Sequence, residues 1–214
     1  MFSSEIFEVI NHGSEEVNIE YKDSMDWSLD ETRWKIIQAV LAMSNTKDGG
    51  YIVIGVEERE KVFYAKGMSE EYFKSFNHDH LSNVLSEYCD PNIQFRVLSD
   101  VAEIDDEKRL FIVIEVSESM QPVICKKLAL RSKKEKAFPE NIALRKNAIY
   151  IRSKTPIESR EIASAHEWRE FIERIVEKNR AELIKRMPCS RFKSEILVSD
   201  SDKFNKDQER DKII

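Results

Sequence analysis

The alternation of apolar and polar residues predicts a series of strands along the chain. Val17, Ile19 and Tyr21 alternate with polar residues, which is the period of a half-buried strand. Tyr51–Val56 is almost continuously apolar, which is typical of a strand covered on both faces. Other strands are predicted at Ile93–Leu98, Leu110–Val116, Val123–Cys125, Leu128–Leu130 and Ala148–Arg152.

Apolar residues that recur every three or four positions predict helices between these strands. The predicted helices begin near Ser3 or Ser4, at Asp30, at Ser69 and near Ser159. The last is long and amphipathic, and it ends at Arg186, before Pro188. We therefore expect an α+β fold, with a single mixed sheet of about six strands, flanking helices and a long C-terminal helix.

We expect one domain over residues 1–187, because the periodic pattern ends there. Residues 188–214 balance six basic against six acidic residues and show no periodicity. This composition predicts a disordered tail.

Several function classes and locations are disfavoured by composition. No apolar run approaches the length that crosses a bilayer, and the start MFSSEIFEVINHG is unlike a signal peptide. The three cysteines are far apart and form no CxxC pair, which argues against disulfides and a zinc knuckle. We expect a cytoplasmic protein without a membrane partner.

Basic residues are concentrated in one part of a chain whose net charge is −6. Ten of them lie between positions 126 and 154: Lys126, Lys127, Arg131, Lys133, Lys134, Lys136, Arg145, Lys146, Arg152 and Lys154. With two glutamates opposing them, this segment carries +8 and the rest of the chain −14. Such asymmetry suits a phosphate backbone, although a solvated lysine-rich loop would have the same composition.

The pair Gly49-Gly50 does not have the arrangement of a Walker phosphate loop. In that loop a strand precedes the glycines and a helix follows, whereas here the order is reversed. The pair therefore predicts a helix C-cap and a tight turn. A nucleotide contact through Asn45, Gly49 and Gly50 stays open as an alternative.

Four glutamates lie close to two predicted strands. Glu15 and Glu20 are at the first strand, while Glu57 and Glu58 end Tyr51–Val56. If these strands are neighbours, three carboxylates can converge at one edge of the sheet. Such a cluster suits Mg²⁺ or Mn²⁺ in phosphodiester chemistry, but 40 acidic residues also make chance clusters common. Lys22 shares the strand face of Glu20, where it could hold a phosphate or neutralise its neighbours.

Four segments carry a resemblance to a known family. They are "SEEVNIEYK", "IIQAVLAMSNTKDGGYIVIGVEE", the glycine at Gly67, and "AIYIRSKTP". In this order they resemble the Schlafen AlbA-like domain, over about Gly13 to Ile172. The middle segment is the most specific of the four.

The resemblance implies a three-carboxylate metal site that cleaves structured RNA such as tRNA. By position, its acids are Glu15, Glu20 and Glu58, and Glu58 stands where the family usually has aspartate. The leading hypothesis is therefore a Mg²⁺- or Mn²⁺-dependent endoribonuclease. Residues expected to contact RNA are Lys22, Lys126, Lys127, Arg131, Lys133, Lys134, Lys136, Arg152 and Lys154.

Two alternative functions stay open, and we also expect the chain to form an oligomer. The first alternative is a non-catalytic nucleic-acid-binding or regulatory module, and the second is an ATP-binding module. Relatives with two tandem copies of the domain close them around RNA, whereas this chain has one copy. We therefore expect a homodimer, in which the long C-terminal helix would bury its surplus apolar positions.

Overall fold

A computed structural model of the chain describes residues 2–131 and 141–186. The chain divides into two compact units, with the boundary after Phe171. Lys133, Lys134, Lys136 and the predicted tail lie outside the described residues. The predicted domain limit at residue 187 stays a prediction.

Five helices and twelve strands are present in the described residues. The helices are α1 (Ser4–Asn11), α2 (Asp30–Ser44), α3 (Glu70–Ser75), α4 (His78–Tyr88) and α5 (Ala165–Arg186). The strands are β1 (Ile19–Lys22), β2 (Gly50–Ile54), β3 (Val56–Arg59), β4 (Val62–Ala65), β5 (Cys89–Asp90), β6 (Phe95–Ile104), β7 (Glu107–Val116), β8 (Ile124–Cys125), β9 (Ala129–Leu130), β10 (Ile142–Leu144), β11 (Tyr150–Lys154) and β12 (Ile157–Glu161).

The main sheet has four strands, in the order β1-β2-β7-β6. β1 runs parallel to β2, with Ile19 opposite Tyr51, and the other two pairings are antiparallel. The predicted α+β class with a long C-terminal helix is confirmed. The expected size of about six strands is wrong, because the shorter strands form separate two-stranded pairs.

Gly55 is the point at which the predicted strand Tyr51–Val56 divides in two. Its φ of +113° is a conformation that residues with side chains rarely adopt. An added Cβ would also press against the side chain of Phe111 and the backbone of Gly67. Val56 therefore leaves the main sheet and starts the β3–β4 hairpin, whose tip has positive φ at Glu60 and Lys61.

Apolar residues cover both faces of the main sheet. On one face, α2 packs its buried residues against alternate positions of β2 and β7; the set includes Ile36, Ile37, Val40, Leu41, Ile52, Ile54, Ile112 and Ile114. On the other face, α1 contributes Ile6 and Ile10, which cluster with Val53 and Val113. α2 also contacts β10, β11 and β12, so it is covered by protein on both sides.

Two predicted helices have different limits in the structure. The helix expected from Ser69 is interrupted at Phe76, and Asn77 caps α4 by accepting the N–H groups of Asp79 and His80. The helix expected from Ser159 begins at Ala165, because the preceding residues form β12. Ser164 and Glu167 cap its first turn reciprocally, at 3.1 and 3.0 Å.

No helix in the described ranges, 2–131 and 141–186, combines the length and the apolar character needed to cross a membrane.

Asn45 joins the end of α2 to two distant segments. Its side-chain nitrogen donates to the carbonyls of Val123 and Tyr150, at 2.8 and 3.0 Å, and its oxygen accepts the N–H of Val123 at 2.9 Å. The residue is 3% exposed, so water cannot readily replace these bonds. Asn45 thus holds β8 and β11 beside α2.

We predict that Asn45→Ala destabilises the protein by about 3 kcal/mol, because it leaves three buried backbone groups without their partner. Chemical denaturation of the variant and the parent measures this difference. Asn83→Ala, at an exposed position of α4, should change stability little. Equal stability of Asn45→Ala and Asn83→Ala would contradict the structural role of Asn45.

Candidate functional site

An open pocket of about 520 Å³ lies beside β1, β3 and β12. Its lining includes Glu15, Glu20, Lys22, Glu58 and Arg152. The structure therefore brings the three predicted acids to one pocket, together with two of the predicted basic residues.

The pairing of β1 with β2 explains why the acids meet. The two strands are parallel neighbours, as the prediction required, and Glu20 lies opposite Ile52. β2 leads through Gly55 into β3, which carries Glu58 back to the side of β1. Lys22 is two residues from Glu20 on the same strand, so both side chains project from one face.

Glu20 is the most extensively bonded acid in the pocket, and it is 3% exposed. Oε1 is 2.5 Å from Nζ of Lys22. Oε2 accepts a hydrogen bond from Ser159 Oγ at 2.5 Å and lies 3.1 Å from Nη1 of Arg152. These three partners compensate the buried negative charge of Glu20.

Arg152 lies in the pocket wall, with its side chain 1% exposed. Besides Glu20, its guanidinium donates to the backbone carbonyls of Glu16 and Ile19, at 2.8 and 3.0 Å. It also lies 3.6 Å from the Glu15 carboxylate. The expectation that Arg152 belongs to an exposed basic surface is therefore corrected: its guanidinium is buried among acceptors of its own chain.

The other acids of the pocket differ in how many hydrogen bonds and ion pairs their side chains form. Glu15 accepts the backbone N–H of Tyr21 at 2.8 Å through Oε1. Glu57 is paired with Lys66 and Arg59, and hydrogen bonds from these two cations lower its pKa. Glu58 is exposed, and its side chain has neither a hydrogen bond nor an ion pair with any residue of the ranges 2–131 and 141–186.

The pocket has a surplus of negative charge. Six acidic and three basic residues line it, which leaves a formal charge of −3. Carboxylate oxygens are the hard ligands that Mg²⁺ and Mn²⁺ prefer, so the donor chemistry fits such an ion. However, no group of three or more His, Cys, Asp or Glu side chains is already arranged around a metal position within the described part of the chain. A cation on Oε1 of Glu20 would have to compete with Lys22.

The remaining basic residues of the predicted RNA surface are distributed over separate elements. Lys126 donates to the carbonyl of Ser86 at 2.6 Å, and Lys127 pairs with Glu87 at 2.6 Å, so both lie beside α4. Lys154 pairs with Glu170 of α5 at 3.0 Å. Arg131 is exposed.

The Asn45–Gly50 loop has a structural function in the fold. The side chain of Asn45 is occupied by the bonds described above. A Cβ on Gly49 would collide with the carbonyl oxygen of Val116, and one on Gly50 with that of Asn18. These glycines let neighbouring backbones approach closely. The nucleotide-binding alternative stays a prediction. The side chain of Asn45 could contact a nucleotide only by giving up its bonds to Val123 and Tyr150.

Ser159 and Phe63 are among the pocket residues that sequence reasoning missed. Both lie in hairpins that were not predicted, β11–β12 and β3–β4. The signal for the first was Thr155-Pro156, a turn pair between two short polar-apolar segments. The signal for the second was the apolar segment Val62–Ala65, directly after a charged turn.

The fold and the pocket define an α+β domain with an acidic site at the edge of a mixed sheet. The family model described as "Schlafen, AlbA_2" matches residues 15–158, so the chain belongs to this family. Family membership indicates a nucleic-acid-related function.

Two further comparisons add little to this assignment. No curated protein matches the chain. Among solved structures, the chain is similar to the DIP2311 protein from Corynebacterium diphtheriae, at 13% identity and a TM-score of 0.43. The match covers 72% of this chain and 23% of that one, and a likeness this weak carries no argument.

We predict that Arg152→Met destabilises the protein by about 4 kcal/mol, because Glu20 would keep a buried charge without its buried cationic partner. Thermal or chemical unfolding measures the loss. Lys154→Met, on the same strand but exposed, is the matched control and should be nearly neutral. The double variant Arg152→Met/Glu20→Gln should be more stable than Arg152→Met alone. If it is not, the pairing with Glu20 does not explain the effect.

Proposed function

We propose that the chain is a metal-dependent endoribonuclease that acts on structured RNA such as tRNA, with the acidic pocket as its active site. The observation that supports this best is the convergence of Glu15, Glu20, Glu58 and Lys22. These residues come from segments up to 43 positions apart, and they line one open pocket. The family's nucleic-acid-related function gives the pocket a substrate class.

Glu15, Glu20 and Glu58 would hold Mg²⁺ or Mn²⁺, which supplies charge stabilisation and activates a nucleophile when bound. The protein's contribution is to position these groups. Arg152 and Ser159 fix Oε2 of Glu20, and the Tyr21 N–H fixes Oε1 of Glu15. The partly exposed ammonium of Lys22 can release Oε1 of Glu20 and turn to a phosphate at the pocket mouth.

Phosphate contacts outside the pocket would come from the other basic residues of the segment 126–154. Lys127, Arg131 and Lys154 are exposed, and Lys126 is partly exposed. The ion pairs of Lys127 and Lys154 with surface glutamates are weak in water, so a phosphate can compete for these two cations. Lys133, Lys134 and Lys136 remain part of this proposal on sequence grounds. An RNA substrate is compatible with the predicted cytoplasmic location.

A second candidate function is nucleic-acid binding without cleavage. The specific observation in its favour is that Lys22 and Arg152 already compensate Glu20. A site of this kind is stable without a divalent ion and could serve to bind RNA alone.

We predict that Glu15→Gln, Glu20→Gln and Glu58→Gln each reduce cleavage of tRNA on the order of 100-fold, because each removes a charged ligand from the metal. The measurement is gel analysis of labelled tRNA with Mn²⁺ or Mg²⁺, and with EDTA. Glu16→Gln is the matched control, since Glu16 is adjacent to Glu15 but does not line the pocket.

The outcomes separate the two candidates. Cleavage that persists in EDTA would contradict the metal dependence, and cleavage by all three variants at the parent rate would contradict the site. Binding of tRNA by the parent, with no cleavage under any metal condition, would favour the binding module.

A homodimer is a further part of the proposal. α5 has exposed apolar residues at Trp168, Ile172, Val176 and Leu183, whose spacing of four, four and seven places them along one helix face. A second copy of the chain could cover this face, and a dimer would double the number of basic residues that face one RNA.

We predict that light scattering at micromolar concentration gives twice the 25.1 kDa of one chain. Val176→Glu should lower this mass to that of the monomer, because it places a charge on the apolar face, whereas Glu177→Gln on the same helix should not. A monomeric mass for the parent at every accessible concentration would contradict the dimer.

A further inference from the structure

The acidic pocket also has an apolar side. Met25, Val56, Phe63 and Ile157 line it together with the carboxylates. Ile157 is 37% exposed and Phe63 is partly exposed, so apolar surface is accessible at this wall. A site for phosphates and metal alone does not require such a wall, because both ligands are fully polar.

Phe63 is the aromatic residue of this wall, and its position is well supported. It lies directly opposite Glu58 in the β3–β4 register. Its ring contacts that of Tyr21, with centroids 5.1 Å apart. Tyr21 is 5% exposed and donates its hydroxyl to the carbonyl of Val9 at 2.7 Å. Phe63 therefore rests on an anchored side chain while part of its surface lines the pocket.

Aromatic surface beside hydrogen-bond acceptors suits an unpaired nucleobase. A base has apolar faces that stack on aromatic rings and a polar edge that forms hydrogen bonds. The pocket has surplus acceptors, and Glu58, across from Phe63, has no partner in the described ranges. Acceptors of this kind favour bases with an exocyclic amino group, since carboxylates accept hydrogen bonds from such groups.

We infer that the pocket takes one unpaired, amino-bearing base of the RNA, with Phe63 stacking on its face and one carboxylate oxygen of Glu58 accepting from its edge, while the other oxygen stays available to the metal. This inference rests on the proposed function of the pocket as an RNA site. It makes Phe63 the stacking surface for an unpaired base, and it makes Glu58 the acceptor that favours adenine, guanine or cytosine over uracil.

The test uses a short single-stranded RNA that contains 2-aminopurine, whose fluorescence falls when it stacks. Titrations are made with EDTA and with Mn²⁺, and gels confirm that the RNA is intact. Binding of the parent should quench the probe. Phe63→Leu should abolish the quenching and weaken binding roughly 10-fold, because a stacking surface is lost. Phe63→Tyr should retain both, and an RNA with uracil in place of the probe should bind more weakly.

Tyr64→Leu is the matched control, because Tyr64 is the adjacent aromatic residue on the same strand, is 47% exposed and does not line the pocket. It should keep the affinity and the quenching of the parent. Thermal unfolding of Phe63→Leu shows whether the loss of its contact with Tyr21 affects the fold. If Phe63→Leu and Phe63→Tyr are equally stable but quench the probe differently, the loss of quenching is caused by the loss of stacking.

The inference and the proposed function fail in different ways. If Lys22→Gln weakens RNA binding while Phe63→Leu changes neither affinity nor quenching, base stacking is wrong and the pocket remains an RNA site. If neither variant changes RNA binding, both are wrong. A parallel titration with adenosine monophosphate separates the sources of the base: Phe63-dependent binding of the free nucleotide, with none of RNA, would contradict the RNA substrate.

Discussion

The site depends on the bonds that the buried guanidinium of Arg152 forms. This guanidinium comes from β11, outside the main sheet, and bonds to the backbone carbonyls of Glu16 and of Ile19, the first residue of β1, and to the carboxylate of Glu20. Burying an arginine and a glutamate costs free energy unless each finds charged and hydrogen-bonding partners. Here the charges of Arg152 and Glu20 compensate each other. Both residues can be buried only if β11 and β1 are in contact.

This arrangement divides the cations of the pocket into two kinds. Arg152 is enclosed and holds the carboxylates of Glu20 and Glu15 in place. Lys22 contacts the same Glu20, but its side chain is 22% exposed and can exchange its partner with solvent or a ligand. The carboxylate of Glu20 therefore has one buried and one partly exposed cation as partners. The lining has an acidic surplus, and the Glu58 carboxylate has no partner among the residues that the structure describes, so the pocket can accept a further cation or hydrogen-bond donor.

Much of the central fold was predictable because it follows from local periodicity. The continuous apolar segment of β2, the alternation in β1, the amphipathic pattern of α1 and the recurring apolar residues of α2 each reflect burial against neighbouring elements. The errors arose where one residue redirects the chain. Gly55 ends β2 and starts a hairpin, Asn77 caps a new helix, and α5 begins only after β12, where Ser164 and Glu167 cap its first turn. A single backbone conformation or cap at such a point outweighs the hydrophobic pattern around it.

The sequence by itself supplied the candidates for the acidic cluster, because Glu15, Glu20, Glu57 and Glu58 lie in or beside two predicted strands, and the resemblance to the Schlafen AlbA-like domain selected Glu15, Glu20 and Glu58 among them. It also showed that Lys22 shares a face with Glu20, since strand side chains alternate. Only the tertiary structure decided the state of each group. Arg152 looked like any member of a basic segment, yet it is buried, whereas Lys154, two residues later, is exposed. Phe63 and Ser159 join the pocket through hairpins that fold back from other segments. Burial and long-range contact depend on how the elements pack together, and a pattern read along one chain does not contain that information.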